Sequence, residues 1–137
     1  MSVTMTPVYF DEFYVTRQLI LDLLPDAQAA ARYGTLSVPK AVAVVNQSAR
    51  HCALQNDAFY AYLKSAHQDN ASALKIIDFF IYDLKELKIK IFVFEEKYLA
   101  EKMHVSKNFS KDFLELSREI LTRVDMETAQ LFPLLSL

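Results

Sequence analysis

Polar side chains that could do chemistry occur in two pairs at helical spacing. His51 and Gln55 are four residues apart, as are Arg123 and Glu127, so each pair would share one face of a helix. Because buried charge must be paired, Arg123 and Glu127 would form an ion pair if these faces point inward. The alternative is an ordinary ion pair on the surface. The predicted central polar cluster consists of Arg17, His51, Gln55, Tyr82, Arg123 and Glu127.

The remaining reactive residue types do not form a catalytic pattern. Cys52 follows His51 directly, but neighbouring residues of a helix point about 100° apart. Cys52 is therefore expected to be a small core residue, while His67 and His104 are expected to be exposed to solvent. The sequence contains one glycine, which excludes a glycine-rich phosphate loop, and it has no CxxC or HExxH motif. These observations predict a protein that is not an enzyme and has no catalytic residue.

Length, charge and cysteine content restrict the class of protein. A chain of 137 residues has the size of a single domain, predicted to span residues 1–137. The net charge of −2, without a basic block, argues against direct nucleic-acid binding. No signal-peptide pattern and no uninterrupted apolar run of about 18 residues is found. A single cysteine fits a reducing compartment, so we expect a cytoplasmic protein outside the membrane.

The scarcity of chain breakers predicts long helices joined by short loops. One glycine and four prolines leave few turns, and the apolar residues recur at helical spacing. A kink or restart is expected at Pro25, and Gly34 is the expected end of the first helix. Residues 89–94 have the composition of a strand, but a lone strand would lack a pairing partner, which favours a helix. The predicted helices cover residues 9–33, 37–66, 71–104 and 109–133, forming an all-α, antiparallel up-down four-helix bundle.

The apolar content leaves two interpretations open. Residues of the apolar types make up 53% of the chain, which exceeds what one buried stripe per helix requires. Part of this surplus could lie on the surface and contact a partner protein or a second copy in a homodimer. Alternatively, the surplus could fill a large core rich in phenylalanine.

Two segments carry a resemblance to a known family. They are Arg50-His51-x-x-x-Gln55-Asn56-x-x-Phe59-Tyr60 and Arg123-x-x-x-Glu127-x-x-x-Leu131-Phe132-Pro133. They resemble the second and fourth helices of hemerythrin-like four-helix bundles, in which histidines and carboxylates hold a pair of non-haem irons. His51 and Glu127 match ligand positions of that family, whereas Gln55 and Arg123 do not. Because a cationic Arg123 would repel a metal, the resemblance implies a degenerate site without a cofactor.

A branch of the same fold that lacks the metal matches better. Its resemblance rests on Asp11-x-Phe13-x-x-x-Arg17-x-x-Ile20-Leu21, Ser48-Ala49-Arg50-His51 and Glu119-x-Leu121-x-Arg123-x-x-x-Glu127. These stretches are similar to segments of the Rsd/AlgQ anti-sigma regulators, with Phe13 in place of tryptophan and Arg50 in place of glycine. The resemblance implies a regulator that binds a sigma factor of RNA polymerase or another transcription component. The predicted partner-contacting residues are Asp11, Glu12, Phe13 and Asp22.

The alternative is a divergent metalloprotein of the hemerythrin type that binds non-haem iron and oxygen. Its metal ligands would be His51 and Glu127, completed by non-standard ligands such as Asp78 or Tyr82. A second alternative is a homo-oligomeric helical protein with a structural role, in which exposed phenylalanines bury one another.

Overall fold

The computed structural model describes residues 7–99 and 108–135, and these residues are almost entirely helical. The α-helices are α1 Pro7–Arg32, α2 Val38–Leu54, α3 Asp57–Ala66, α4 Ala71–Phe94, α5 Phe109–Met126 and α6 Phe132–Leu135. A π-helical turn, Glu95–Leu99, extends α4, and a second one, Glu127–Leu131, joins α5 to α6. No strand occurs in either described range, which confirms the predicted all-α class.

The end of α1 follows from its glycine. Gly34 adopts a φ of 70°, which a residue with a side chain rarely tolerates. This conformation lets the N–H of Thr35 donate to the carbonyl of Ala30 and the N–H of Gly34 donate to that of Ala31. The two bonds form a Schellman motif, so the predicted stop at Gly34 is confirmed. The helix runs through Pro25 without the restart that the sequence suggested.

The predicted helix over residues 37–66 is wrong in one respect, because it is divided into α2 and α3. Ser37 caps α2 as expected, since its hydroxyl accepts a hydrogen bond from the N–H of Lys40. At Gln55 the backbone leaves the helical region, with φ −90° and ψ 61°. The side chain of Asn56 then accepts from the N–H of Phe59 at 3.0 Å and starts a new helix. An asparagine cap inside the predicted helix is the physical reason for the break.

Helix α4 includes the strand-like residues 89–94. Asn70 caps its first turn by accepting from the N–H of Ala73 at 3.0 Å. Phe80, Leu84, Leu87 and Ile91 lie in the core at helical spacing, so packing overrides the local strand preference. The helical prediction for this segment is confirmed. The last part of the predicted third helix, residues 100–104, lies outside the described residues.

The last predicted helix begins at Phe109 as expected, but its end differs. The prediction stops at Pro133, whereas helical structure continues through the π turn and α6 to Leu135. Pro133 is the second residue of α6, so it does not end the helical structure.

The helices enclose one core rich in aromatic side chains. α1 contacts α2 and α5, while α4 contacts α2, α3 and α5. The largest fully buried side chains include Phe13, Phe59, Phe80, Phe109 and Phe113. The rings of Phe13 and Phe59 stack at 5.5 Å between centroids, near the polar residues described below. Among the helices of the described ranges, none has the length and apolarity that crossing a bilayer requires.

Candidate functional site

A polar network lies inside this core, where α2 gives way to α3. His51 is in the last turn of α2 and is 2% exposed, and Gln55 occupies the break that follows. Because the backbone turns at Gln55, Tyr60 of α3 comes close to the same place. The hydroxyl of Tyr60 donates to Oε1 of Gln55 at 2.8 Å. The break between the two helices therefore places a histidine, an amide and a phenol side by side.

Glu127 is the anion at the centre of the network. It begins the π turn after α5 and is completely buried. Its Oε1 lies 2.7 Å from Nε2 of His51. Its Oε2 accepts from Nε2 of Gln55 at 2.8 Å and from Nε of Arg123 at 2.9 Å. Both carboxylate oxygens are thus occupied by donors of the same chain.

Arg123 is the cation that pairs with this carboxylate, and its guanidinium forms hydrogen bonds through all three nitrogens. Nη1 donates to the carbonyl of Phe80 at 2.9 Å and to Oδ2 of Asp83 at 3.0 Å. Nη2 donates to Oε1 of Gln55 and, at 3.0 Å, to the hydroxyl of Tyr60. With the bond from Nε to Glu127, every N–H of the guanidinium has an acceptor. Its carbon also lies 4.6 Å from the centre of the Phe80 ring.

His51 is held through both ring nitrogens. Nδ1 lies 2.7 Å from the hydroxyl oxygen of Thr16, and this hydroxyl donates its own proton to the carbonyl of Phe13. The oxygen of Thr16 is therefore left to accept from Nδ1. Nε2 faces the carboxylate of Glu127, which can only accept when it is ionised. His51 is thus tied to α1 through Thr16 and to the π turn through Glu127.

Burial and charge act in opposite directions on the ionisable groups. Burial by itself would raise the pKa of Glu127, but the hydrogen bond and charge of His51 and the charge of Arg123 outweigh it. The pKa of Glu127 therefore lies below its ordinary value of 4.5. Burial raises the pKa of the Tyr60 phenol, which stays a neutral donor and acceptor at physiological pH. At neutral pH the network therefore pairs an ionised Glu127 with a charged Arg123 beside a neutral Tyr60.

The structure brings together most of the predicted polar cluster. His51, Gln55, Arg123 and Glu127 share direct hydrogen bonds. The inward position predicted for Tyr82 is wrong, because its side chain is 65% exposed. Arg17 lies beside the network rather than in it, with its guanidinium carbon 5.3 Å from the centre of the Phe132 ring.

Three members of the network were not predicted, namely Thr16, Tyr60 and Asp83. Thr16 directly precedes Arg17, and Asp83 directly follows Tyr82. One residue along a helix is a rotation of about 100°, so a small error of helical phase exchanges an inward position for an outward one. Tyr60 belongs to the segment that carries the resemblance, which was the available signal.

The predicted partner-contacting residues do not all reach the surface. Asp11, Glu12 and Asp22 are exposed on α1, and Asp22 accepts from Nε2 of Gln18 at 2.8 Å. The prediction for Phe13 is wrong, because this residue is completely buried and its ring lies 4.6 Å from that of His51. Phe13 therefore supports the network and is inaccessible to a partner.

The predictions for the other histidines and for the cysteine, which concern their exposure to solvent, have different outcomes. His67 is half-buried, and its Nε2 lies 2.8 Å from the carbonyl of Leu134, so the exposed position expected for it is wrong. His104 lies outside the described residues. Cys52 is 3% exposed, which confirms it as a core residue. Burial raises the pKa of its thiol to about 12, so the thiolate needed for nucleophilic attack is scarce at neutral pH.

The donor set does not fit a pair of iron ions. Metal binding needs lone pairs on the carboxylate and imidazole, but both oxygens of Glu127 and both nitrogens of His51 are taken by hydrogen bonds. Arg123 would repel the ion, and Asp78 is exposed in an ion pair with Lys64. The described residues contain no cluster of three or more histidine, cysteine or carboxylate side chains that could hold a metal.

Comparisons of the chain with protein-family models, with curated proteins and with solved structures find no significant match.

Proposed function

We propose that the chain is a hemerythrin-like, antiparallel up-down four-helix bundle that forms a single domain. α2 and α3 together would be its second helix, and α5 with α6 its fourth. The contacts of α1 and of α4 with both α2 and α5 support a ring of four helices in which each packs against two neighbours. The connections at residues 33–37 and 67–70 are short, which favours antiparallel neighbours.

We further propose that the protein is a cytoplasmic, non-enzymatic regulator whose partner is a sigma factor or another transcription component. The observation that carries this proposal is the self-contained polar core. Arg123 and Gln55 occupy the positions at which iron-binding relatives would keep ligands, and they saturate Glu127 from within the chain. A core of this kind stabilises one structure and leaves no reactive group to a substrate. The resemblance to Rsd/AlgQ regulators supplies the class of partner.

The surface supports a role in binding. Phenylalanines fill the core, and large apolar side chains also remain exposed at the surface. Those on α1 are Tyr14, Val15 and Leu19, at 39%, 57% and 37% exposure. They accompany the exposed carboxylates of Asp11, Glu12 and Asp22 on the same helix. Apolar contact area bordered by negative charge suits a partner with a basic surface.

The test is affinity purification of the tagged, full-length chain from its native host. We expect a sigma factor or another subunit of RNA polymerase among the recovered proteins. Replacing both Asp11 and Glu12 by lysine should reduce this recovery, since it reverses the charge at the proposed contact. The control replaces two other exposed carboxylates, Asp69 and Asp125, by lysine, which is the same change of charge away from the proposed contact. Recovery of no transcription component by the wild-type chain would contradict the proposal.

The alternative of an iron protein can be tested on the same material. Elemental analysis of protein purified without oxygen should yield less than about 0.2 metal ions per chain, because a metal centre requires stoichiometric occupancy. A content near one or two irons would favour the hemerythrin-type alternative and contradict the proposed regulator.

The homo-oligomer is favoured by one observation, the exposed apolar residues of α4. Light scattering at micromolar concentration distinguishes this alternative. A monomer is the result expected for a regulator whose exposed surface is reserved for another protein, whereas a stable oligomer would favour the structural role.

A further inference from the structure

Helix α4 is apolar on two opposite sides. Phe80, Leu84, Leu87 and Ile91 face the core and are buried. Phe79, Tyr82, Ile89 and Val93 lie on the outer side, with 44%, 65%, 57% and 55% of their surface exposed. Helical geometry places these four residues within about 80° of one another and directly away from the core. We call them the outer stripe.

The outer stripe has the dimensions of a helix-docking surface. It spans the 14 residue steps from Phe79 to Val93, or about 21 Å along the helix axis. The spacing of three, seven and four residues is the pattern that one helix presents to another. A groove of about 340 Å³ lies between the stripe and α5, where apolar residues such as Ile89 and Leu116 alternate with charged residues of both helices. Isolated exposed apolar residues need no explanation, but four of them on one side of a helix indicate a contact surface.

One negative charge stands in the middle of the stripe. Glu86 is seven residues from Phe79 and seven from Val93, so it lies on the same line of the helix, and it is exposed. Within residues 7–99 and 108–135 it makes no ion pair, although the cations of Lys90 and Arg118 line a groove together with it. Lys90 donates to Glu119 at 2.6 Å, and Asp83 accepts from Arg123. An apolar partner surface that covers Glu86 would therefore have to supply a cation.

This charge argues against a second copy of the chain as the occupant. Two copies that bury their whole outer stripes against each other must do so about a two-fold axis, with the helices parallel or antiparallel. In both arrangements the central Glu86 of each copy meets that of the other, and two carboxylates would be desolvated side by side. Such juxtaposition of like charges is unfavourable.

We propose that the outer stripe of α4 docks an amphipathic helix of a partner protein, with a lysine or arginine of that helix placed against Glu86. The proposal rests on the proposed function only in taking the partner to be a protein. It adds the chemistry of the partner segment, which is an apolar helix face interrupted by a central cation. Whether the partner is a sigma factor is a separate question.

The test uses two labelled helical peptides of about 18 residues, long enough to cover the stripe. Both carry leucines at helical spacing on one face, and they differ at the centre of that face, where one has arginine and the other glutamate. Fluorescence anisotropy with the full chain should show saturable binding of the arginine peptide. Binding of the glutamate peptide should be weaker by about tenfold or more.

Variants of the protein identify the surface. Glu86→Lys should reverse the preference between the two peptides, and Ile89→Ser should lower the affinity for the arginine peptide about tenfold. Tyr33→Ser is the matched control, since Tyr33 is 82% exposed but lies outside the stripe, and it should leave binding unchanged. Circular dichroism checks that each variant is folded.

Several results would overturn the proposal. They are failure of both peptides to bind, equal binding of both, or a preference that survives Glu86→Lys. Association of the chain with itself through the stripe, or binding to vesicles of phosphatidylglycerol that Ile89→Ser abolishes, would assign this surface to another occupant. If the peptides fail while a sigma factor still co-purifies, the proposed function stands and only the docking surface is refuted.

Discussion

The buried carboxylate of Glu127 provides the sharpest test of the polar core. Glu127→Gln keeps the size of the side chain and removes its charge. The amide can accept only through its single oxygen, whereas the carboxylate accepts from His51, Gln55 and Arg123. We expect a large loss in the free energy of unfolding, because a buried cation loses its counter-charge.

The size of this loss can be worked out from the contacts. A hydrogen bond to a charged group contributes about 1.5–3 kcal/mol, and the variant loses roughly two of them, which gives about 3–6 kcal/mol. Removing one partner of a buried ion pair costs about 3–5 kcal/mol, in agreement. Asp83 remains as a second counter-charge for Arg123, but its side chain is 35% exposed, so it compensates only in part. We therefore expect about 3 kcal/mol.

Urea unfolding followed by circular dichroism measures this quantity. The wild-type chain and the variant should differ by roughly 2 M in midpoint, with similar slopes. Glu119→Gln is the matched control, since Glu119 also binds a cation, Lys90, but its side chain is 45% exposed. Exposed ion pairs contribute less than about 1 kcal/mol, so this control should unfold near the wild-type midpoint.

A double variant separates loss of the ion pair from loss of packing. In the Arg123→Met variant there is no buried guanidinium that could lose its counter-charge. Glu127→Gln should therefore lower the free energy of unfolding by at least about 1 kcal/mol less in this variant than in the wild-type chain. A loss below about 1 kcal/mol in the single variant, or full additivity in the double variant, would refute the reasoning. Either result would mean that Arg123 and Glu127 do not act as a buried pair.

Three further predictions concern the same core. The pKa of Glu127 lies below its ordinary value of 4.5, so the stability that its carboxylate contributes is complete above about pH 4.5 and is lost as the pH falls through the folded-state pKa. Urea midpoints measured at decreasing pH should show this loss. In Glu127→Gln the midpoints should depend less on pH. Thr16→Val should lower the free energy of unfolding by about 1–3 kcal/mol, because it leaves Nδ1 of the buried His51 without a hydrogen-bond partner. Urea unfolding measures this loss, and a cost near zero would contradict the assigned contact. Cys52 should react with iodoacetamide only after unfolding, because its thiol is buried and the pKa of that thiol is raised to about 12. Modification of the native chain at the rate of a free thiol would contradict this prediction and show that the core opens readily.

The limits of sequence-based inference are visible in α4. The pairs His51–Gln55 and Arg123–Glu127 can be found from spacing, because residues four apart share a helix face whatever the tertiary structure. The inward side of α4 cannot be found in this way, since apolar residues line both the core side and the outer stripe. Because both sides of the helix are apolar, the sequence does not show which side faces the core. The prediction therefore places Tyr82 inward, whereas the structure has Asp83 at the network.

The break between α2 and α3 was missed for a different reason. Asn56 is a suitable cap, but asparagine also occurs within helices, and the turn at Gln55 is stabilised by distant partners. Gln55 bonds to Glu127 and Arg123, which lie about seventy residues away in the sequence. A backbone conformation that depends on such contacts has no local signal. The same applies to the π turn that begins at Glu127.

The central claim, that the chain is a regulator of transcription by protein binding, is tested most directly by calorimetric titration with the purified housekeeping sigma factor of its host. The proposed function predicts saturable binding with one sigma factor per chain and a dissociation constant in the micromolar range or tighter, about −8 kcal/mol or more favourable. Absence of heat on titration to saturating concentrations, with both proteins folded, would contradict it.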